Sequence, residues 1–171
     1  MDFNEYKLKV FPVKDKLYRL ANRMVSHNAE AEDIVQETMI RLWKRRNKLH
    51  SYKNIEAFAM VITKNLCLDY LKSKKSKVVE LTNMNSRNTN INPHIIAETN
   101  DIMLSVKKAV AKLPTKQKII LQLRDIEEKE FDEIAEITGE TINNIRVLLS
   151  RARRNVKESI IKKENYEYKE N

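Results

Sequence analysis

Residues 131–154, FDEIAEITGETINNIRVLLSRARR, decide how the rest of the chain is read. They contain its only glycine, Gly139, with Ala135 four positions before it and Ile145 six after. This is the spacing of a helix-turn-helix. A small residue on the first helix lets the second approach, a glycine allows the positive φ of the turn, and an apolar residue anchors the second helix to the core. The second helix is expected from about Thr141 to Arg154 and beyond, carrying Arg146, Arg151, Arg153 and Arg154. Charge divides at the turn: residues 125–140 hold eight acids and one lysine, residues 141–163 seven cations and one acid. One basic helix is thereby presented alone.

The remainder of the chain fits that element. One glycine and three prolines in 171 residues, with plentiful Lys, Glu, Leu, Ile and Asn, argue for an all-helical fold. The net charge of +9 favours a polyanionic partner, nucleic acid or a membrane surface. The N-terminal MDFNEYKLKVF mixes acids with lysines and does not read as a signal peptide. No stretch approaches the ~20 apolar residues that span a bilayer. The single cysteine, Cys67, excludes an intrachain disulfide and suits a reducing cytoplasm; set among Ile62, Leu66, Leu68 and Leu71, it reads as a buried structural thiol. A soluble, cytoplasmic protein is expected, monomeric when free and without membrane insertion.

Apolar residues recur at broadly helical spacing from Phe3 to Val25, and Pro12 marks a break or a fresh helix start, with the regular helix expected from near Val13. A second helix, AEAEDIVQETMIRLWKRRNKL, buries Ile34, Val35, Met39, Leu42 and Trp43, with Asn28 as a plausible cap. Its other face shows Asp33, Gln36, Glu37 and Arg41, which on an arbitrary helix is simply a solvated face. After the polar connection HSYKN, a third helix runs from about Ile55 to Lys74, with Lys64, Asn65, Asp69 and Lys72 on its polar side. Residues 78–100, with six asparagines and Pro93, lack periodicity and read as an extended linker. The helical period returns at Asp101 and again in LPTKQKIILQLRDIE, which starts at Pro114; the tail KKENYEYKEN reads as frayed. The expected architecture is two small helical domains, residues 8–76 and 101–163, joined by a linker at 77–100, with the second domain a helix-turn-helix.

Four stretches in series, AEDIVQETMIRLWKRR, NIEAFAMVITKNLCLDYLKSK, LPTKQKIILQLRDIE and FDEIAEITGETINNIRVLLSRARR, resemble a bacterial extracytoplasmic-function (ECF) sigma factor, the sigma class with only the second and fourth conserved domains. The resemblance covers about residues 8–160, in the family's order. It implies a transcription initiation factor that binds core RNA polymerase and directs it to promoters, and it turns the polar face Asp33, Gln36, Glu37 and Arg41 into a polymerase-docking surface. It implies that Tyr52, Lys53 and Asn54 of the loop, with Lys64, Asn65, Asp69 and Lys72 of the third helix, capture the melted −10 strand; amide and carboxylate edges can hold a flipped base, and cations its phosphates. It places the second helix of the helix-turn-helix in the major groove at the duplex −35 element, with Thr141, Asn143, Asn144, Arg146, Val147, Ser150, Arg151 and Arg154 as contacts. Asn pairs adenine and Arg pairs guanine in bidentate fashion, while Ser150, Arg151 and Arg154 are placed for phosphates. Val147 and Leu148 depart from the polar residues that many members carry there, so the promoter sequence does not carry over from relatives. An anti-sigma factor is an implied partner. Acidic stretches and a basic recognition surface on one chain also raise the expectation that the free protein masks itself.

Other classes fit less of the chain. A stand-alone helix-turn-helix regulator that binds duplex DNA without polymerase leaves residues 29–74 unexplained and predicts a dimerisation face, for which no heptad pattern exists. An enzyme lacks its residues: His27, His50 and His94 are scattered, there is no HExxH spacing or cysteine cluster for a metal, and one glycine cannot build a phosphate loop. No catalytic residue, metal or cofactor is expected.

Overall fold

A computed structural model describes residues 1–82 and 101–167. Its described residues are mostly helical, without a strand. Helix α1 spans Phe3–Val10, α2 Lys14–Val25, α3 Asn28–Lys44, α4 Ile55–Thr82, α5 Asp101–Ala111, α6 Thr115–Leu121, α7 Phe131–Thr138 and α8 Ile142–Glu167.

Local chemistry sets the boundaries. Asp2 caps α1 by accepting the Glu5 N–H at 2.8 Å, and Pro12 sits in a single 3₁₀ turn, Phe11–Val13, from which α2 starts afresh. Asn54 caps α4 through the Ala57 N–H at 2.9 Å. His27, rather than Asn28, holds the cap position of α3; it lies in extended backbone, and its side chain makes no capping bond. The 3₁₀ helix Arg46–Ser51 fills most of the connection between α3 and α4. Helix α4 continues to Thr82, past its expected end near Lys74, and α8 continues to Glu167, into the tail expected to fray. Helical backbone satisfies its own hydrogen bonds without an apolar face, so a good run of helix formers extends beyond the core that starts it. Most of the asparagine-rich linker, residues 83–100, lies outside the described residues.

Helix α2 is the hub. Its Leu17, Leu20, Ala21, Met24 and Val25 are buried, and they meet Ile34, Val35 and Leu42 of α3 and Ala57, Met60 and Cys67 of α4. Each fully buried aliphatic side chain contributes about 1.5–3 kcal/mol. Burial pushes the Cys67 thiol up to about 12, which leaves it an inert core residue. Buried Thr38 and Thr63 meet at 3.1 Å between α3 and α4. Helix α1 is pinned by Tyr6, whose hydroxyl donates to the Met39 carbonyl at 2.7 Å and whose ring meets Trp43 edge-on at 5.0 Å.

The same apolar cluster continues through Ile119, Ile120 and Leu123, then Ile134 and Ile137 of α7 and Ile145 and Leu149 of α8. A smaller cluster of Val110, Leu113 and Ala152 holds α5 to α8. The two units expected from sequence therefore meet face to face. A long connection sets how far two units can separate, not whether their surfaces match.

Candidate nucleic-acid and protein interfaces

The turn of the helix-turn-helix is built as its sequence requires. Gly139 has φ +74°, and its N–H donates to the Ala135 carbonyl at 2.8 Å, closing α7. A Cβ added there meets nothing within 4 Å, so the demand is for the dihedral and not for space. Gly139→Ala is expected to cost about 1–2 kcal/mol through its left-handed backbone, lowering Tm by several degrees; Gly139→Asn should cost less, because Asn tolerates this region. Equal Tm shifts for the two in calorimetry would contradict a conformational origin. Ala135 is partly buried against the core, and Ile145 is fully buried.

On α8, Ile145, Leu149 and Ala152 form the buried stripe, while Asn143, Arg146, Val147, Ser150, Arg151 and Arg154 are exposed together on the opposite side. Thr141 and Asn144 serve the helix start: the Thr141 hydroxyl accepts the Asn144 N–H at 3.3 Å, and the Asn144 amide bonds to Glu140. Glu140 also takes Lys116 at 2.6 Å, and these two hydrogen bonds hold its carboxyl below the usual range. Arg153 is turned back into a bidentate pair with Asp125. Arg151 and Arg154 make no ion pair among the described residues. Arg146 lies over the Phe131 ring at 5.3 Å, with Arg124 over the same ring at 4.8 Å. Phe131 was not among the residues that the sequence singled out; an aromatic opening the first helix, opposite a basic second one, is the signal for it.

On α4, Asn65, Asp69 and Lys72 are exposed, as are Tyr52 and Lys53 in the loop. The Tyr52 ring stacks on Phe58, centroids 4.0 Å apart, leaving a half-open aromatic surface beside Arg45. Asn54 and Lys64 are placed differently. The Asn54 amide donates to Glu133 at 3.2 Å, and Lys64 Nζ donates to the Ile137 carbonyl at the end of α7 at 2.9 Å. Burial lowers the Lys64 pKa from its ordinary value, with Glu140 pulling the other way. The self-masking expected of the recognition helix thus falls elsewhere: the outer face of α8 is open, and α7 rests on Asn54 of the loop and Lys64 of α4.

On α3, Asp33, Gln36 and Arg41 are exposed and Glu37 is half-buried; Arg41 and Glu37 pair along the helix at 2.7 Å. Ile40 stands among them, 47% exposed. It lies off the buried stripe of α3, and that displacement marks it in the sequence as a surface apolar residue.

Across the seam, Arg19 donates through Nε and Nη2 to both oxygens of Glu127 at 2.8 and 2.6 Å. Lys129 reaches Glu56 at 2.7 Å and Glu133 at 3.1 Å, and Lys16 reaches Glu56 from the other side at 2.9 Å. Burial raises the Glu56 pKa, but the two lysines outweigh it and hold the group low. Among the described residues, no helix is long and apolar enough to cross a membrane.

Comparison with known proteins identifies the family. Residues 12–77 match the family model of sigma-70 region 2, and residues 103–156 that of sigma-70 region 4. The RNA polymerase sigma factor SigV of Bacillus subtilis is 30% identical over 140 residues, covering 81% of each chain. The ECF RNA polymerase sigma factor SigW of the same organism is 25% identical over 150 residues, covering 82% of this chain and 80% of SigW. Among solved structures, the sigma factor RpoE of Bartonella quintana, crystallised with the anti-sigma factor NepR, superposes with a TM-score of 0.76 at 23% identity, covering 91% of this chain and 96% of RpoE.

Proposed function

Since this chain belongs to the sigma-70 family, in its ECF class, we propose a division of its promoter and polymerase contacts among three separate faces. The protein is a transcription initiation factor: it binds core RNA polymerase, directs it to specific promoters, promotes melting at −10 and reads the −35 element. Residues 8–76 act as sigma domain 2, residues 101–163 as sigma domain 4, and residues 77–100 as the linker between them.

The observation that carries the −35 assignment is the unequal treatment of the α8 arginines. Arg153 is bound by Asp125, whereas Arg151 and Arg154 project with Arg146, Asn143, Val147 and Ser150 on the open side. A helix enters the major groove on such a side: Asn143 and Arg146 near its start meet base edges, and Ser150, Arg151 and Arg154 meet phosphates. Thr141 and Asn144 fix the helix start that faces the groove. Val147, 46% exposed, offers an apolar contact for a thymine methyl.

For the −10 strand, Asn65 and Asp69 supply base edges, Lys53, Lys64 and Lys72 supply cations, Asn54 shapes the loop, and the Tyr52–Phe58 stack is a platform for an unstacked base. For polymerase, Asp33, Gln36, Glu37 and Arg41 surround Ile40, an apolar centre within a polar rim. The complex of RpoE with NepR supports an anti-sigma factor as a further partner here, and a role on RNA polymerase fits a cytoplasmic location.

The deciding experiment is run-off transcription with core polymerase on fragments of the source genome. Transcripts with defined starts that require the added protein are expected, together with weak binding of promoter duplex by the free protein. Tight sequence-specific gel shifts without polymerase would instead mean a stand-alone regulator.

A further inference from the structure

The turn joining α6 to α7 is costly to build and takes no part in the contacts assigned above. A π-helical turn, Gln122–Ile126, widens the end of α6, and the Lys129 N–H reaches back to the Leu123 carbonyl at 2.9 Å. Glu128 holds φ +53° without being glycine. Its neighbours Glu127 and Lys129 are charged yet only 8% exposed each. Strain and buried charge survive where the surroundings over-determine them. The left-handed residue turns both neighbours toward the first domain, where opposite charges are arranged in reverse order. Glu127 takes the Arg19 fork and the Gln122 amide, and Gln122 accepts from Arg23 at 3.1 Å. Lys129 takes Glu56, which Lys16 braces from behind.

We infer that residues 126–130 are a latch and that Arg19, Lys16 and Glu56 of α2 and α4 form its seat, so that the free chain is held closed with α7 seated on Asn54 and Lys64. The acid–base order makes the fit directional: a slipped turn would set Glu127 against Glu56 and Lys129 against Arg19. Closing the latch brings the Ile137 carbonyl to Lys64 and Glu133 to Asn54. That this contact competes with promoter DNA rests on the assignment of Asn54 and Lys64 to the −10 strand; the latch itself does not. Opening leaves the α8 face unchanged, so the −35 reader is available in both states and the −10 reader is complete in one.

Lysine acetylation of the full chain with acetic anhydride, read by mass spectrometry, tests the latch, with exposed Lys72 on the same helix as internal reference. In the wild type Lys64 should react about tenfold more slowly than Lys72, the protection given by a mostly closed population. Arg19→Glu should bring the two rates within about twofold, and Arg19→Glu with Glu127→Arg should restore protection; circular dichroism reports that the helices persist. If the reversal does not fold, Arg19→Ala gives the same comparison with a smaller change. Undiminished protection of Lys64 in Arg19→Glu or Arg19→Ala, or no recovery in the charge swap, overturns the latch. Anisotropy with a labelled random-sequence single-stranded oligodeoxynucleotide supplies the second reading. Arg19→Glu makes the chain less basic, so tighter binding by this variant can only come from opening. If Lys64 becomes reactive while affinity does not rise, the latch stands and the −10 assignment of Asn54 and Lys64 falls.

Discussion

Asp33→Ala combined with Gln36→Ala is expected to weaken binding to core RNA polymerase by tenfold or more and to remove promoter-directed transcription, while the fold and duplex DNA binding persist. Neither side chain has a hydrogen-bond partner among the described residues, so neither supports the free protein. Glu37 and Arg41 satisfy each other along the helix, a pair worth about 0.3–0.5 kcal/mol. Free hydrogen-bonding capacity on this face therefore resides in Asp33 and Gln36. At a desolvated contact, truncating two central polar groups costs about 2 kcal/mol or more, and each 1.4 kcal/mol is about tenfold in Kd. Ile40→Ala should add to the loss, since it removes the apolar centre without touching a polar partner. Titration of labelled core polymerase gives the Kd directly. An unchanged Kd beside reduced transcription would move the docking surface off α3.

The sequence carried the elements well because their signals are local. The period of Leu17, Leu20, Ala21 and Met24 buries one side of α2, and Pro12 and Gly139 punctuate the chain where backbone dihedrals demand it. The faces of α3 and α8 follow from the same period, since a buried stripe fixes what is left outside. What did not emerge is how one surface meets another. Acids and bases in residues 125–130 read as a wide turn and a charge split; only packing reveals that Glu127 faces Arg19 and Lys129 faces Glu56. Asn54 and Lys64 show the consequence. Residue type and spacing grouped them with Asn65 and Asp69, yet their closed-state partners lie in α7, more than seventy residues along the chain. Arg153 is the converse case: indistinguishable from Arg151 and Arg154 by type, it is separated from them by Asp125.

This separation of the arginines gives a sharp expectation for the −35 reader. Arg146→Ala and Arg151→Ala should each reduce promoter-specific transcription with polymerase affinity unchanged, but in distinguishable ways. A bidentate arginine–guanine contact is worth about 1–3 kcal/mol, so Arg146→Ala should lower use of the cognate promoter roughly 5- to 150-fold and relax the preference at one base pair. Its loss also frees Phe131 from one cation–π contact, a cost of about 0.5–1 kcal/mol at an exposed site, too little to unfold the domain. Arg151→Ala removes a phosphate contact; it should weaken all sequences alike and reduce the slope of log affinity against log salt by about 1. Arg153→Ala is the internal control: its guanidinium is held by Asp125, so the salt slope should stay the same. The measurement is transcription from a panel of single-base promoter variants, repeated across a salt series with polymerase holoenzyme. If Arg146→Ala and Arg151→Ala shift every promoter equally and change the salt slope equally, base reading does not reside in Arg146, and the start of α8 serves only to position the helix.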